Sequence, residues 1–388
     1  MNVGNFYIIT VLVAIEGAIY FLSGHNKTKW FFNIIPSMFW IYFIPLLAST
    51  LGLIPSKSDL YKLAADYLLP VSLVLILMSV NIKQIFRLGP KAIAMMLAGS
   101  LGIFIGGPVV ILLFKDFLPS GIWSGFGAIA ASWTGGSANM LAVKEAISTP
   151  DAIFMPMVIV DAIVPYLWMG LLIVASNYQT KFDKWNKADI KMMKDLNNRI
   201  KETVVVKKRM TVNALARITA VGIVSSFVAI YISSKMPVVK NIVSAYTWTI
   251  VIITAIGMGL SFTKIKGLES YGSSQIGYFL LYFVLATIGA RANLAALRDA
   301  PVLIIAGIVW VMIHGVVLLS AARLVRAPLF LVATASQANI GGTASAPVVA
   351  AIYQPLLAPV GLLLAVMGNI MGTYVGILCA EMCRKVAM

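Results

Sequence analysis

Charge is scarce in this chain. Only 11% of its 388 residues are Asp, Glu, Lys or Arg, whereas 60% are hydrophobic, and the mean hydropathy is +0.92. A soluble domain carries roughly 25% charged residues. No soluble fold could cover this much apolar surface, so the surrounding medium is a bilayer. Acidic residues are scarcer still, 14 against 30 basic ones, and there are two histidines and two cysteines. Cys379 and Cys383 stand four apart near the end of the last apolar run with no histidine nearby, so they read as buried bystanders rather than a metal site or disulfide. No metal-ligand cluster, phosphate-cradling loop or nucleotide motif occurs, so any transport should run on an ion gradient rather than ATP. The opening Met-Asn-Val-Gly-Asn has no basic segment, and no cleaved signal peptide is expected. The net charge of +16 does not point to nucleic acid. Ten basic residues fall between Asn177 and Thr211, and most others flank apolar stretches, as in loops that face a cytoplasm and anionic lipid.

What is present is apolar sequence in spans of about 20 residues, enough to cross a bilayer. The spans are 4–22, 31–53, 66–82, 92–114, 121–147 (broken), 152–176, 213–233, 242–262, 273–290, 301–322, 328–353 (broken) and 355–380. The two broken spans resemble one another. One contains Ala131-Ser-Trp-Thr-Gly-Gly-Ser-Ala-Asn-Met140 and the other Ser336-Gln-Ala-Asn-Ile-Gly-Gly-Thr-Ala-Ser345. A shift of 206 residues lays Gly135-Gly136 on Gly341-Gly342, Ser137 on Thr343 and Gly170 on Gly376, and superposes all six elements of each half. The chain therefore reads as an all-α polytopic membrane protein of two six-element repeats, 1–176 and 212–388, joined by a basic cytoplasmic linker, 177–211. If every element crosses, the repeats are parallel. If each Gly-Gly element is a re-entrant hairpin, each half has five crossings and the second is inverted, with both termini opposite the linker. Loop charge does not choose between these. The hairpin reading is preferred, because inverted repeats meeting at broken helices are a common transporter plan.

Helix-breaking polar sequence survives at membrane depth only inside protein or beside water. Gly135, Gly136, Gly341 and Gly342 let the backbone unwind, and Thr134, Ser137, Asn139, Gln337, Asn339, Thr343 and Ser345 offer neutral donors and acceptors. Half-helix N-termini suit a carboxylate or phosphate, and unwound carbonyls suit Na+. These eleven positions are completed by Asp161, a carboxylate in mid-span and the favoured carrier of Na+ or a proton, and by Asn369, its amide partner. Close packing by small residues alone is the competing explanation of the two Gly-Gly clusters. Other ionisable groups read more blandly. Asp66 looks interfacial, His314 is expected to be a satisfied packing group, Arg291 to snorkel to headgroups or hold an anion, and Lys144 and Glu145 to pair with each other. In the linker, Phe182, Trp185, Ile190, Met193, Leu196 and Ile200 recur among lysines as an amphipathic surface helix would require.

The segments Ser132-Trp-Thr-Gly-Gly-Ser-Ala-Asn-Met140 with Lys144-Glu145, and Gln337-Ala-Asn-Ile-Gly-Gly-Thr-Ala-Ser345-Ala-Pro347, resemble the YjcL-like family of integral membrane proteins, long labelled a domain of unknown function. The resemblance covers nearly the whole chain. It implies kinship with the cation/proton antiporter and anion transporter superfamily, hence a core of two discontinuous elements at an inverted-repeat interface. The expected function is secondary active transport of a small organic solute, an anion among the candidates, coupled to Na+ or H+ in an elevator-like cycle. A cation/proton antiporter is the alternative, although the adjacent acidic pair usual in electrogenic antiporters is absent. A passive channel or an intramembrane hydrolase is more distant, since Ser137 only loosely resembles a rhomboid-like nucleophile, and no enzyme activity is expected. The expected setting is the plasma (inner) membrane, multi-pass, with lipid and solute as partners, no nucleic acid, a homodimer as one assembly, and no cofactor beyond a Na+ site.

Overall fold

A computed structural model describes residues 3–28, 31–32, 37–80, 88–188, 208–238, 245–291, 300–354 and 357–387. The helices are α1 (Val3–Gly24), α2 (Ser37–Thr50), α3 (Asp59–Leu77), α4 (Pro90–Phe114), α5 (Ile122–Gly135), α6 (Ser137–Ala146), α7 (Asp151–Ala175) and α8 (Gln179–Asn186). They continue with α9 (Val212–Ser233), α10 (Ala245–Ser261), α11 (Ser273–Arg291), α12 (Ala300–Val325), α13 (Leu329–Ile340), α14 (Gly342–Tyr353) and α15 (Ala358–Ala387). Among the described residues there is no strand. Among the described residues eight helices are long and apolar enough to cross a membrane, or nine if α10 and the bent segment after it form one span. In hydrocarbon only a helix or a closed barrel satisfies its own backbone, so apolar runs of this length fold as helices. Phe21, Leu113, Phe227 and Leu324 stand exposed on the outside of the bundle, where lipid rather than water must cover them. The protein is a multi-helix membrane protein.

Several boundaries depart from the sequence reading for local reasons. The helix expected over 66–82 begins at Asp59, capped by the Ser58 hydroxyl, which accepts the Leu60 N–H. Its turn Ala64–Leu68 is a π-helix. Pro70 has no N–H to give the Asp66 carbonyl, and the Ala65 carbonyl accepts Tyr246 Oη at 2.6 Å, so the regular ladder is interrupted there. Asp66 thus lies within this turn rather than at a span end. After α10 the chain bends by 91° into a 3-10 segment, Lys264–Tyr271, before α11.

Side-chain bonds fix which way each helix runs. At the end of the bundle where α8 follows α7, Asp183 Oδ1 accepts the Leu329 N–H at 2.8 Å, and Asn186 Nδ2 donates to the carbonyls of Ala322 and Ala327 at 3.1 and 2.7 Å. The end of α12 and the start of α13 are therefore at this linker end. Tyr353, the last residue of α14, donates to the Leu172 carbonyl near the end of α7 at 2.8 Å. So α13 and α14 enter and leave at one end, as a hairpin. The other broken element does the same from the far end. Thr149, just after α6, donates to the Ser124 carbonyl near the start of α5 at 3.3 Å. Lys144 and Glu145 of α6 pair with Asp151, the first residue of α7, and with Arg291, the last of α11. Tyr7 Oη donates to the Leu53 carbonyl at 3.0 Å, and Asp59 shares a pocket with Asp151 and Arg291, which puts the start of α1 at that far end. α15 leaves the linker end, where Leu357 is buried in the cluster that Phe182 packs against, and its 30 residues carry it across.

Candidate functional site

The first hairpin turns at Gly136, whose φ of 80° and ψ of 177° only glycine adopts without strain. α5 ends at Gly135 and α6 begins at Ser137, so one residue separates a helix C-terminus from a helix N-terminus. The second hairpin turns at Gly341 and Gly342, between the end of α13 at Ile340 and the rest of α14. The tips, coming from opposite ends of the bundle, border one cavity of about 670 Å³. Of the sequence-predicted residues, Gly135, Gly136, Ser137, Asp161, Gly341, Gly342, Thr343, Ser345 and Asn369 line it.

Thr134, Asn139, Gln337 and Asn339 do not line the cavity; they lie behind its wall, and three of them hold the hairpins in place. Asn139 Nδ2 donates to the Gly135 carbonyl at 2.6 Å and to the Asn369 carbonyl at 3.2 Å. Its Oδ1 accepts the Thr373 N–H at 2.9 Å and the Thr373 hydroxyl at 2.5 Å. The side chain thereby bridges the Asn369 carbonyl and the Thr373 N–H, the pair that an undisturbed α-helix joins directly, and ties the first tip to α15. Asn339 plays the corresponding part against α4. Its Oδ1 accepts Ser100 Oγ at 2.8 Å, and Nδ2 donates to the carbonyls of Ala335 and Met96 at 3.0 and 3.3 Å. Gln337 Nε2 donates to Ser345 Oγ at 2.7 Å across the second hairpin, while its Oε1 is buried without a partner among the described residues. Thr134 Oγ1 is likewise buried and unpartnered.

Asp161 faces the cavity from the middle of α7. Ser132 lines the same cavity, while the buried indole N–H of its neighbour Trp133 has no hydrogen-bond partner among the described residues. Residue 165 is proline, so the Asp161 carbonyl has no N–H four residues on to accept. One residue therefore presents a carboxylate and an unladdered carbonyl at the same depth. Together with the carbonyls at the ends of α5 and α13 and the hydroxyls of Ser137, Thr343 and Ser345, the donor set is all oxygen, which suits a hard monovalent cation. The N-termini of α6 and α14 bring free N–H groups and partial positive charge to the same space. Ser37, Ser132, Tyr166, Tyr278 and Tyr282 add further hydroxyl-bearing side chains to the lining.

Other residues depart from their sequence assignments or were missed. Arg291 is held in ion pairs within the protein, because at the far end Glu145 and Asp151 lie beside it. Its Nη2 is 3.2 Å from Glu145 and its Nε 3.4 Å from Asp151, and Lys144, itself buried, pairs with both carboxylates at 2.7 and 2.8 Å. His314 is fully buried with Nδ1 2.9 Å from the Gly99 carbonyl and Nε2 2.9 Å from Ser336 Oγ, a satisfied packing group. In the linker, α8 docks on α12 and α13, and Arg323 stacks over Trp185 at 4.7 Å. Ile190, Met193, Leu196 and Ile200 lie outside the described residues. Cys379 and Cys383 are free and buried. Sequence reasoning overlooked Gly368 and Gly372, which with Gly376 form a stripe that lets α15 lie against α5. A Cβ on Gly372 would stand 2.8 Å from Gly135 Cα and 2.9 Å from the Ala131 carbonyl. Spacing of glycines by four was the available signal. Glu16, buried in α1, was also overlooked.

The chain is 26% identical over 343 residues to a protein of Bacillus subtilis (strain 168) described as an uncharacterized membrane protein, YjcL, and the match covers 85% of each. The family described as a protein of unknown function, DUF819, matches residues 10–386, a range that takes in both hairpins, the cavity between them and the whole of α7. The chain belongs to the DUF819 family of membrane proteins.

Proposed function

We propose that this protein is a secondary active transporter of a small organic solute, driven by Na+ or H+, and not an enzyme. The observation that carries the reading is the meeting of two oppositely entered, glycine-tipped hairpins at one cavity that also holds Asp161. Such tips place helix N-termini and unwound carbonyls at membrane depth, the recurring way in which secondary transporters bind an anionic group and a cation side by side. The hairpins support an inverted pair of repeats, five crossings and one re-entrant element each, and the ten basic residues of 177–211 favour a cytoplasmic linker in a plasma membrane.

The solute is a small anion in this reading, its charged group held by the N–H groups at Ser137 and Gly342. Asp161, through its carboxylate and carbonyl, holds the driving cation. The outer helices α1, α2, α9 and α10 serve as the scaffold, and the hairpins with the helices around them move against it. A ligand that binds the folded protein stabilises it by mass action. The test is thermal unfolding of the purified protein against small carboxylates and phosphates, with Na+ or K+ as the counter-ion. A stabilising solute whose effect grows with Na+ or with acidification, and loses that dependence in Asp161→Asn, is the expected result. Stabilisation that ignores both ions in the wild-type protein would contradict ion coupling at this cavity.

A further inference from the structure

Glu16 lies in the middle of α1, away from both hairpins, and its side chain is 0% exposed. Among the described residues, neither of its carboxylate oxygens has a hydrogen-bond partner. An ionised carboxylate buried without a partner is among the most unfavourable arrangements a protein can contain, and such a group takes up a proton instead of remaining bare. The groups that face it are tyrosines. Tyr20 stands one turn further along α1 and packs against Tyr282 of α11, with ring centroids 6.0 Å apart, and Tyr282 packs against Tyr278 at 6.2 Å. From α2 the titratable residue is Tyr42, which lies by Asp151 and Arg291 at the far end of the bundle. Tyr166 of α7 is close to both Tyr282 and Asp161.

The tyrosines also define where a proton could go. Tyr278 and Tyr282 line the hairpin cavity on one side. With Tyr20 and Gln275 they line a second cavity of about 540 Å³ on the other. The buried carboxyl group thus lies beside tyrosines, of which Tyr282 lines both spaces and Tyr20 the second.

We propose that Glu16 is a second proton-binding site of this protein. In this conformation it is a neutral carboxylic acid, and it exchanges its proton with water in the cavities bordered by Tyr20 and Tyr282. The step is a simple transfer: the Glu16 O–H bond breaks, a water molecule accepts the proton, and the return transfer restores the acid. The site lies outside the hairpins and Asp161, so it stands whether or not the transport reading holds.

The experiment is infrared spectroscopy of the purified full chain in lipid nanodiscs at neutral pH, taken as wild type minus Glu16→Gln. Glutamine has the shape of protonated glutamate and leaves Asp161 in place, so the difference isolates one carboxyl group. A protonated-carboxyl C=O band that is lost in the variant, and that shifts when the wild-type protein is moved into D2O, is the expected result, with thermal midpoints equal within error. No such band means that Glu16 is ionised against a partner, and it overturns the proposal. A band that fails to shift after long incubation means a sealed packing group, and it overturns the exchange. If Glu16→Gln does not fold, Glu16→Asp must retain the band at an altered frequency, and its absence there is equally contradictory.

Discussion

Replacing Asn139 by alanine separates a wall that binds from a wall that braces. Asn139 is 2% exposed and makes four polar contacts, to Gly135, Asn369 and twice to Thr373. When its amide is removed, the Asn369 carbonyl and the Thr373 N–H can pair with each other along α15. The Gly135 carbonyl and the Thr373 hydroxyl lose their partners beside the glycine stripe. Each buried polar group left unpaired costs about 1–3 kcal/mol, so the variant should lose about 2–6 kcal/mol of stability. Thr10→Ala is the control, since its exposed hydroxyl only returns to the Phe6 carbonyl of its own helix, and surface changes of that kind fall within about 0.5 kcal/mol. Equilibrium unfolding in mixed micelles measures both. A loss below about 1 kcal/mol for Asn139→Ala, combined with weakened binding of a cavity ligand, would refute the bracing role and return Asn139 to the binding set.

Gly372→Ala forces α15 away from Gly135 and Ala131 and should cost about 1–3 kcal/mol by overpacking. Gly170→Ala, where a Cβ meets nothing within 4 Å, should be neutral or slightly stabilising in the same assay. Arg291→Gln leaves Glu145 and Asp151 with Lys144 alone; at 24% exposure for Arg291 the loss should be about 1–2 kcal/mol, shrinking in high salt. Single cysteines at Lys208 and at Phe6, introduced into a chain with Cys379 and Cys383 replaced, should be labelled by impermeant maleimide from opposite sides of the membrane. Labelling of both from one side would contradict the hairpins.

The long elements were legible because lipid leaves the backbone no alternative to helix, so α1, α4, α9 and α12 begin and end within a few residues of their apolar runs. The breaks at Gly135-Gly136 and Gly341-Gly342 were legible for the converse reason, as polar sequence where none is free. What each polar side chain does was not. Asn139 and Asn339 carry the same amide as Asn369, and only the packing of α15 and α4 behind them decides that two brace and one lines the cavity. The π turn in α3 needed the Tyr246 hydroxyl, 181 residues away, as well as Pro70. Arg291 stands at a helix end, where snorkelling is the ordinary expectation, and its carboxylate partners come from α6 and α7. Glu16 was in plain view within an apolar span, but its neighbour Tyr282 comes from a distant helix.

The most direct measurement of the central claim is gradient-driven uptake in proteoliposomes, with a radiolabelled form of whichever solute stabilises the protein. An inward Na+ or H+ gradient should drive accumulation above equilibrium by the wild-type protein. Asp161→Asn, which keeps the side chain's shape and removes its charge, should fold but abolish or uncouple that accumulation. Uptake by Asp161→Asn with undiminished dependence on the ion gradient would contradict the account.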